Sequence, residues 1–192
     1  MKTYKVVLEG TTPILFGKQY VVPTLTRESK AEYEERTWRE RMHKNTNGEV
    51  VLSPLSVKNC LRDAARYLSE SIPGKGKSTF TKHFKSGVMC FEQSLIKNAS
   101  GKAIKADAVD PLWLSVPSDG MTGGSKRVPK AFPQVGVGWT AELEIVVLDE
   151  VIGKDVLQRH LTEAGNFIGL GAMRVGNGGI CGRFKVSSIR EA

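Results

Sequence analysis

The sequence is poor in the residues that build disulfide frameworks, metal centres and acid–base pairs. Its three cysteines, Cys60, Cys90 and Cys181, are odd in number, far apart and without a CxxC spacing. That argues against a disulfide scaffold and a structural zinc site, and leaves three thiols packed as small hydrophobes. The three histidines, His43, His83 and His160, fall on separate predicted elements with no ligand spacing, so neither a metal nor a cofactor is expected. No paired carboxylates and no nucleophile elbow occur. No apolar run approaches the roughly 20 residues that span a bilayer. The start, MKTYKVVLEG, reads as a strand rather than an apolar leader. The expectation is a cytoplasmic protein with no membrane partner.

Positive charge is abundant instead. The 192 residues suit a single domain, and 28 Lys and Arg against 20 Asp and Glu give a net charge of +8. The distribution says more than the sum. Between residues 58 and 85 stand seven basic residues (Lys58, Arg62, Arg66, Lys75, Lys77, Lys82, Lys85) and two acidic ones (Asp63, Glu70). Such clustering is an electrostatic footprint for a polyanion.

Periodicity gives the elements. Residues 3–16 alternate as a strand interrupted at Gly10 and Pro13. Residues 28–44 read as an exposed helix with ion pairs Glu32–Arg36 and Glu35–Arg39 at i,i+4 and few apolar positions, among them Trp38 and Met42. A short strand at 50–52 leads into a helix from Pro54 to about Ser71, with Ser53 as N-cap and Val57, Leu61, Ala64, Ala65 and Leu68 as its core stripe. Residues 73–86 read as a basic loop and 88–96 as a strand. Residues 97–134 read as a long irregular excursion holding one short strand at 112–116. A strand at 139–148, a helix at 154–167, a glycine-rich loop at 169–182 and a closing strand at 183–189 complete the chain. The order is βαβ, excursion, βαβ, which predicts an α+β, ferredoxin-like (RRM-like) βαββαβ core. Segments 17–48 and 97–134 are then insertions into one domain, an arm and a thumb.

Three constellations point to nucleic acid. Lys58, Arg62 and Arg66 recur at i, i+4 and i+8 and form either a row that follows phosphates or a solvated basic face. The loop GLGAMRVGNGGICGRF (169–184) holds six glycines, among them Gly169, Gly171 and Gly176, together with Arg174 and Arg183. It reads either as backbone able to approach phosphate closely or as a tight structural connection. It is neither a Walker loop nor a dinucleotide fingerprint, because it follows a helix and precedes a strand. In residues 121–135, Lys126, Arg127 and Lys130 alternate with Val128 and Phe132, a composition that suits single-stranded nucleic acid or an ordinary surface loop. His83, alone among the histidines, lies within basic surroundings and is the one candidate for a general acid or base.

Three stretches also resemble the RAMP superfamily of CRISPR-associated proteins, most closely its guide-RNA-binding backbone subunits: YKVVLEGTTPILFG, VVLSPLSVKNCLRDAARYL and AGNFIGLGAMRVGNGGICGRFKV. The resemblance implies an RRM-like core, RNA-backbone contacts from the first core helix at Lys58 and Arg62 and from the glycine loop, and a thumb that separates bases. It also implies other CRISPR-type subunits as partners. Some members cleave RNA with an Asp after the first strand; residues 17–48 contain none.

The primary expectation is a non-catalytic subunit that binds single-stranded RNA and polymerises head to tail along it. Trp38, Met42, Trp113, Met121 and Phe132 on the two arms would be interface anchors. The alternatives are a metal-independent ribonuclease acting through His83, and a mimic or inhibitor of a CRISPR complex.

Overall fold

A computed structural model describes residues 1–118 and 126–192. Strand β1 (Lys2–Gly10) buries every second residue, with Tyr4, Val6 and Leu8 inside and Lys5, Val7 and Glu9 on the opposite face. Strand β1 pairs antiparallel with β8 (Thr140–Val147) on one side and with β9 (Phe184–Glu191) on the other. Two short strands, β4 (Val88–Met89) and β5 (Ser94–Lys97), run in succession along the outer edge of β8, and β3 (Val51–Leu52) pairs with β5. The sheet order is β3-β5-β8-β1-β9, every pairing antiparallel.

One face of this sheet carries helices α2 (Pro54–Leu68) and α4 (Lys154–Glu163), which touch each other. Helix α2 buries Val57, Cys60, Leu61, Ala64 and Ala65, and α4 buries Leu157, His160 and Leu161. Pro54 opens α2 as expected, and Ser53 sits at its N-cap in extended conformation but makes no side-chain cap hydrogen bond. Through the sheet the chain runs β1–α2–β4/β5–β8–α4–β9. The opposite face presents Lys5, Glu9, Glu142, Glu144, Lys185 and Arg190 in cross-strand rows, with Lys185 paired to Glu9 at 2.9 Å. An RRM stacks bases on aromatic residues of this face. Here the rows are charged.

Both insertions are more ordered than their composition predicts. Residues 97–134, expected to be irregular, contain the hairpin of β6 (Asp110–Pro117) and β7 (Arg127–Val135). With β2 (Ile14–Leu15) they form a second sheet in the order β2-β7-β6. Pro129 and Pro133 hid β7 from the sequence reading. Both lie on the edge turned away from β6, where Pro133 accepts the Phe16 N–H and Ala131 donates to Glu34, so no ladder bond to β6 is lost. Met121 lies outside the described residues.

The arm forms α1 (Lys30–Thr37) followed by a 3-10 turn over Trp38–Arg41. Its expected i,i+4 pairs give way to other contacts. Glu32 closes a capping box with Ser29, Arg36 pairs with Glu28 at 2.6 Å, and Arg39 stacks 4.1 Å over Trp38. Trp38 is 4% exposed and Met42 fully buried within the main core, and Phe132 is buried in a smaller cluster with Leu15 and Cys181. A buried Glu34–Arg41 pair at 2.7 Å, whose carboxylate also accepts the Ala131 N–H, ties the arm to β7. Three of the expected interface anchors are therefore interior residues of this same chain, because the two insertions supply each other with an apolar face. Trp113, at 44% exposure, remains on the surface.

Residues 73–86 are also not wholly loop: α3 (Thr81–Gly87) occupies their second half, anchored by buried Phe84.

Candidate nucleic-acid interface

The glycine-rich loop lies against α2. After α4 the chain passes through a single π turn, Ala164–Ile168, and then folds back on itself. The Leu170 N–H donates to the Gly182 carbonyl, the Gly182 N–H to Pro13 and the Ala172 N–H to Leu15. Gly171 has φ +82° and lies where a Cβ would collide with the Leu15 carbonyl oxygen. The glycine density thus serves first to bring loop backbone against backbone, the structural of the two readings offered by the sequence. Gly169 is buried, and its carbonyl accepts the Cys60 thiol of α2 at 3.2 Å. Burial pushes that thiol up to about 12, so it stays protonated as a donor.

Between loop and helix runs an open groove. Its upper part, about 290 Å³, is lined by Phe16, Lys18, His43, Ser53, Ser56, Asn59, Gly171 and Arg174. Its lower part, about 440 Å³, is lined by Arg62, Asp63, Arg66, Tyr67, Ile168, Arg174, Gly176 and Asn177. Arg174 belongs to both. Its guanidinium donates to Asp63 at 2.9 Å, and Arg62 donates to the other oxygen of the same carboxylate at 2.8 Å. Burial raises the Asp63 carboxyl, but these two arginines outweigh it and hold the group below the usual carboxylate range. Burial, aided by Lys18, lowers His43, leaving a neutral imidazole at the upper end.

Of the residues singled out by the sequence, Arg62, Arg66, Gly171, Arg174 and Gly176 line this groove. The others do not. Lys58 does not line the groove: the row drifts by about 40° at each i+4 step, and the Lys58 ammonium lies 3.2 Å from the Met89 sulfur. Lys75 and Lys77 are exposed on the turn after α2 and Lys82 on α3. Arg183 is exposed beside Thr12, which accepts its N–H. On the hairpin, Lys126 is exposed, Arg127 bonds back to Ser115, and Lys130 lines a separate cavity with Tyr20 and Arg41.

Sequence reasoning missed Ser56, Asn59 and Asp63. Their spacing of three and four places them on one face of α2, a polar stripe that the sequence carries beside its row of cations. It also missed the partner of His83, whose Nδ1 lies 2.5 Å from Asp149 at the start of the β8–α4 connection. That hydrogen bond holds the Asp149 carboxyl below its ordinary range. Among the described residues no cluster of three or more His, Cys, Asp or Glu is arranged to hold a metal ion. Nor, among them, is any helix long and apolar enough to cross a membrane.

No family model matches the chain, and no curated protein matches it. Among solved structures, the crystal structure of Cmr6 from Pyrococcus furiosus is similar at 12% identity and a TM-score of 0.49, covering 96% of this chain and 97% of that one.

Proposed function

We propose that this chain is an RNA-binding subunit without chemistry of its own, which holds single-stranded RNA by its phosphates in the groove between α2 and the glycine-rich loop. One observation carries the reading. Arg62 and Arg66 from the helix and Arg174 from the loop, motifs distant in sequence, line one open groove. Each cation that replaces a counterion on a phosphate adds sequence-independent affinity. Two further features support it. The strand order β5–β8–β1–β9, with α2 and α4 as crossovers, agrees with a ferredoxin-like core. The resemblance to guide-RNA-binding RAMP subunits makes RNA the polyanion of choice, with further CRISPR-type subunits as partners. Copies aligned head to tail along one RNA extend the same reading, with the β6–β7 hairpin and its exposed Trp113 as the reaching element.

Fluorescence anisotropy with a labelled single-stranded RNA across a salt series tests it. The Arg62→Ala/Arg66→Ala/Arg174→Ala variant should bind more weakly, with a salt slope flatter by about 0.7 per lost phosphate. Lys58→Ala, at a residue that lies outside the groove lining, should change neither. A triple variant that binds like the parent would show the groove to be a solvated surface.

A second reading has its own observation. His83 with Asp149 forms a hydrogen-bonded His–carboxylate pair near Lys75, the geometry of an oriented general base. If this pair cuts RNA, purified protein will cleave it in the presence of EDTA and His83→Ala will not. We expect no cleavage from either.

A further inference from the structure

Two aromatic rings stand in the open at the lower end of the groove. Tyr67, the penultimate residue of α2 and next to Arg66, is 60% exposed, and Phe167, carried on the π turn, is 46% exposed. Their rings stack with centroids 5.2 Å apart and planes at 25°. Neither belongs to the two apolar clusters that form the interior, so this aromatic surface does not serve the core. Its exposed neighbours are polar or cationic, and the aliphatic Ile168 of the same cavity is buried. Arg62, Arg66, Arg174 and Asn177 line the same cavity as Tyr67.

We propose that the Tyr67–Phe167 pair is a nucleobase-stacking subsite, where one base of the bound RNA extends the stack while Arg66 and Arg62 take the adjoining phosphates. The inference rests on the RNA-binding reading and adds to it a contact with the base rather than the backbone. Three properties favour a base over an apolar segment of a protein. The apolar area is a two-ring island whose aliphatic neighbour in that cavity, Ile168, is itself buried, whereas a protein-docking patch needs a contiguous apolar centre. The surrounding charge is positive, three guanidiniums against the one carboxylate of Asp63. The rings are already stacked on each other, so a flat partner meets a preformed platform and no side chain has to be ordered on binding. Interleaved cations and aromatic faces are the means by which single strands are held without regard to sequence, since every base has a π face. Asn177 at the cavity wall supplies an amide able to donate to or accept from a base edge.

The test pairs two polyanions, single-stranded RNA and inorganic polyphosphate, which has the charge but no bases. Tyr67→Ala should weaken RNA binding about ten-fold or more while leaving polyphosphate binding and the RNA salt slope unchanged, and Tyr67→Trp should retain RNA affinity. RNA carrying 2-aminopurine should be quenched on binding the parent and the Tyr67→Trp variant, and less quenched by Tyr67→Ala. Equal weakening of RNA and polyphosphate by Tyr67→Ala would make Tyr67 a structural residue and overturn the proposal. Unchanged RNA binding in both Tyr67→Ala and Phe167→Ala would also overturn it, and would point to a protein partner for the rings. The arginine triple variant separates the two levels: if it loses RNA while Tyr67→Ala does not, the groove stands and the stacking subsite falls.

Discussion

Asp63 on α2 and Arg174 in the glycine-rich loop are joined at 2.9 Å across 111 positions of sequence, and the same carboxylate accepts from Arg62 at 2.8 Å. One acidic side chain thus holds guanidiniums from both walls of the groove. It fixes their direction and cancels part of their charge. Because both arginines keep an open edge toward the cavity, the cluster remains a net donor surface for phosphate.

Replacing Asp63 by Asn separates these two effects. The groove gains one net positive charge, so single-stranded RNA should bind at least as tightly at low salt and with a steeper salt dependence, read by anisotropy. The loop loses its ion pair with α2, so the melting temperature should fall. A shallower salt slope in Asp63→Asn would mean that orientation of the arginines outweighs the released charge.

The loop's glycines are not equivalent, and stability measurements should rank them. Gly182 has φ +77°, and a Cβ there would run into the Leu170 carbonyl oxygen, whose residue also donates its N–H back to Gly182. Gly178 has φ +78° with open space around it. Gly178→Ala should cost only the left-handed strain, about 1–2 kcal/mol. Gly182→Ala should cost clearly more, because backbone must move and the loop hydrogen bonds with it. Urea unfolding with equal m-values would give the comparison directly.

Much of this arrangement was legible in the sequence, for identifiable reasons. Alternation at Ala141, Leu143, Ile145 and Val147 and the helical stripe Val57, Leu61, Ala64, Ala65 gave β8 and α2 because each turns one apolar face to the core. Arg62 and Arg174 were found as charges, but their meeting at Asp63 was not, since no local pattern encodes a contact 111 positions apart. The arms were misread for a related reason. Trp38 and Met42 look surplus on a short polar helix, and only the tertiary pairing of α1 with β7 supplies the face that buries them. Strand β7 was lost to Pro129 and Pro133, which are harmless only because of the edge they occupy.

His160 should make the fold acid-sensitive. Its ring is fully buried, stacked 4.2 Å from Phe84 and edge-on to Phe80, with Nδ1 at 2.8 Å from the Val156 carbonyl and Nε2 without a hydrogen-bond partner among the described residues. Burial, the largest influence, lowers its pKa below the ordinary histidine value, although the Val156 contact opposes this. The folded chain therefore resists a proton that the unfolded chain takes up below about pH 6.5. Stability should be insensitive to this group at neutral pH and fall as pH drops through that value, by at most about 1.4 kcal/mol per unit. His160→Leu should flatten the melting-temperature profile between pH 6.5 and 5. An unchanged profile would assign the acid sensitivity to other groups.

The last prediction concerns the two tryptophans of the insertions and whether copies assemble. Trp38, 4% exposed inside the main core, should behave as an interior residue: Trp38→Ala should cost about 3–5 kcal/mol, as truncations of buried aromatic rings do. Trp113, 44% exposed on β6, should cost far less on truncation. Its effect belongs elsewhere if the hairpin reaches a neighbouring copy, because exposed Trp at an interface centre concentrates binding energy. A contact between different patches of identical chains does not close as a twofold dimer but gives filaments or rings, so on RNA the assembly should grow with the template. RNA spanning several copies adds stability to the array by mass action. Mass photometry on RNAs of increasing length should then show a stepwise rise in mass for the parent and shorter arrays for Trp113→Ala, with each monomer's melting temperature little altered. A single copy on every RNA, with or without Trp113, would show that the burial of Trp38, Met42 and Phe132 has left the insertions wholly internal and that the protein binds RNA as a monomer.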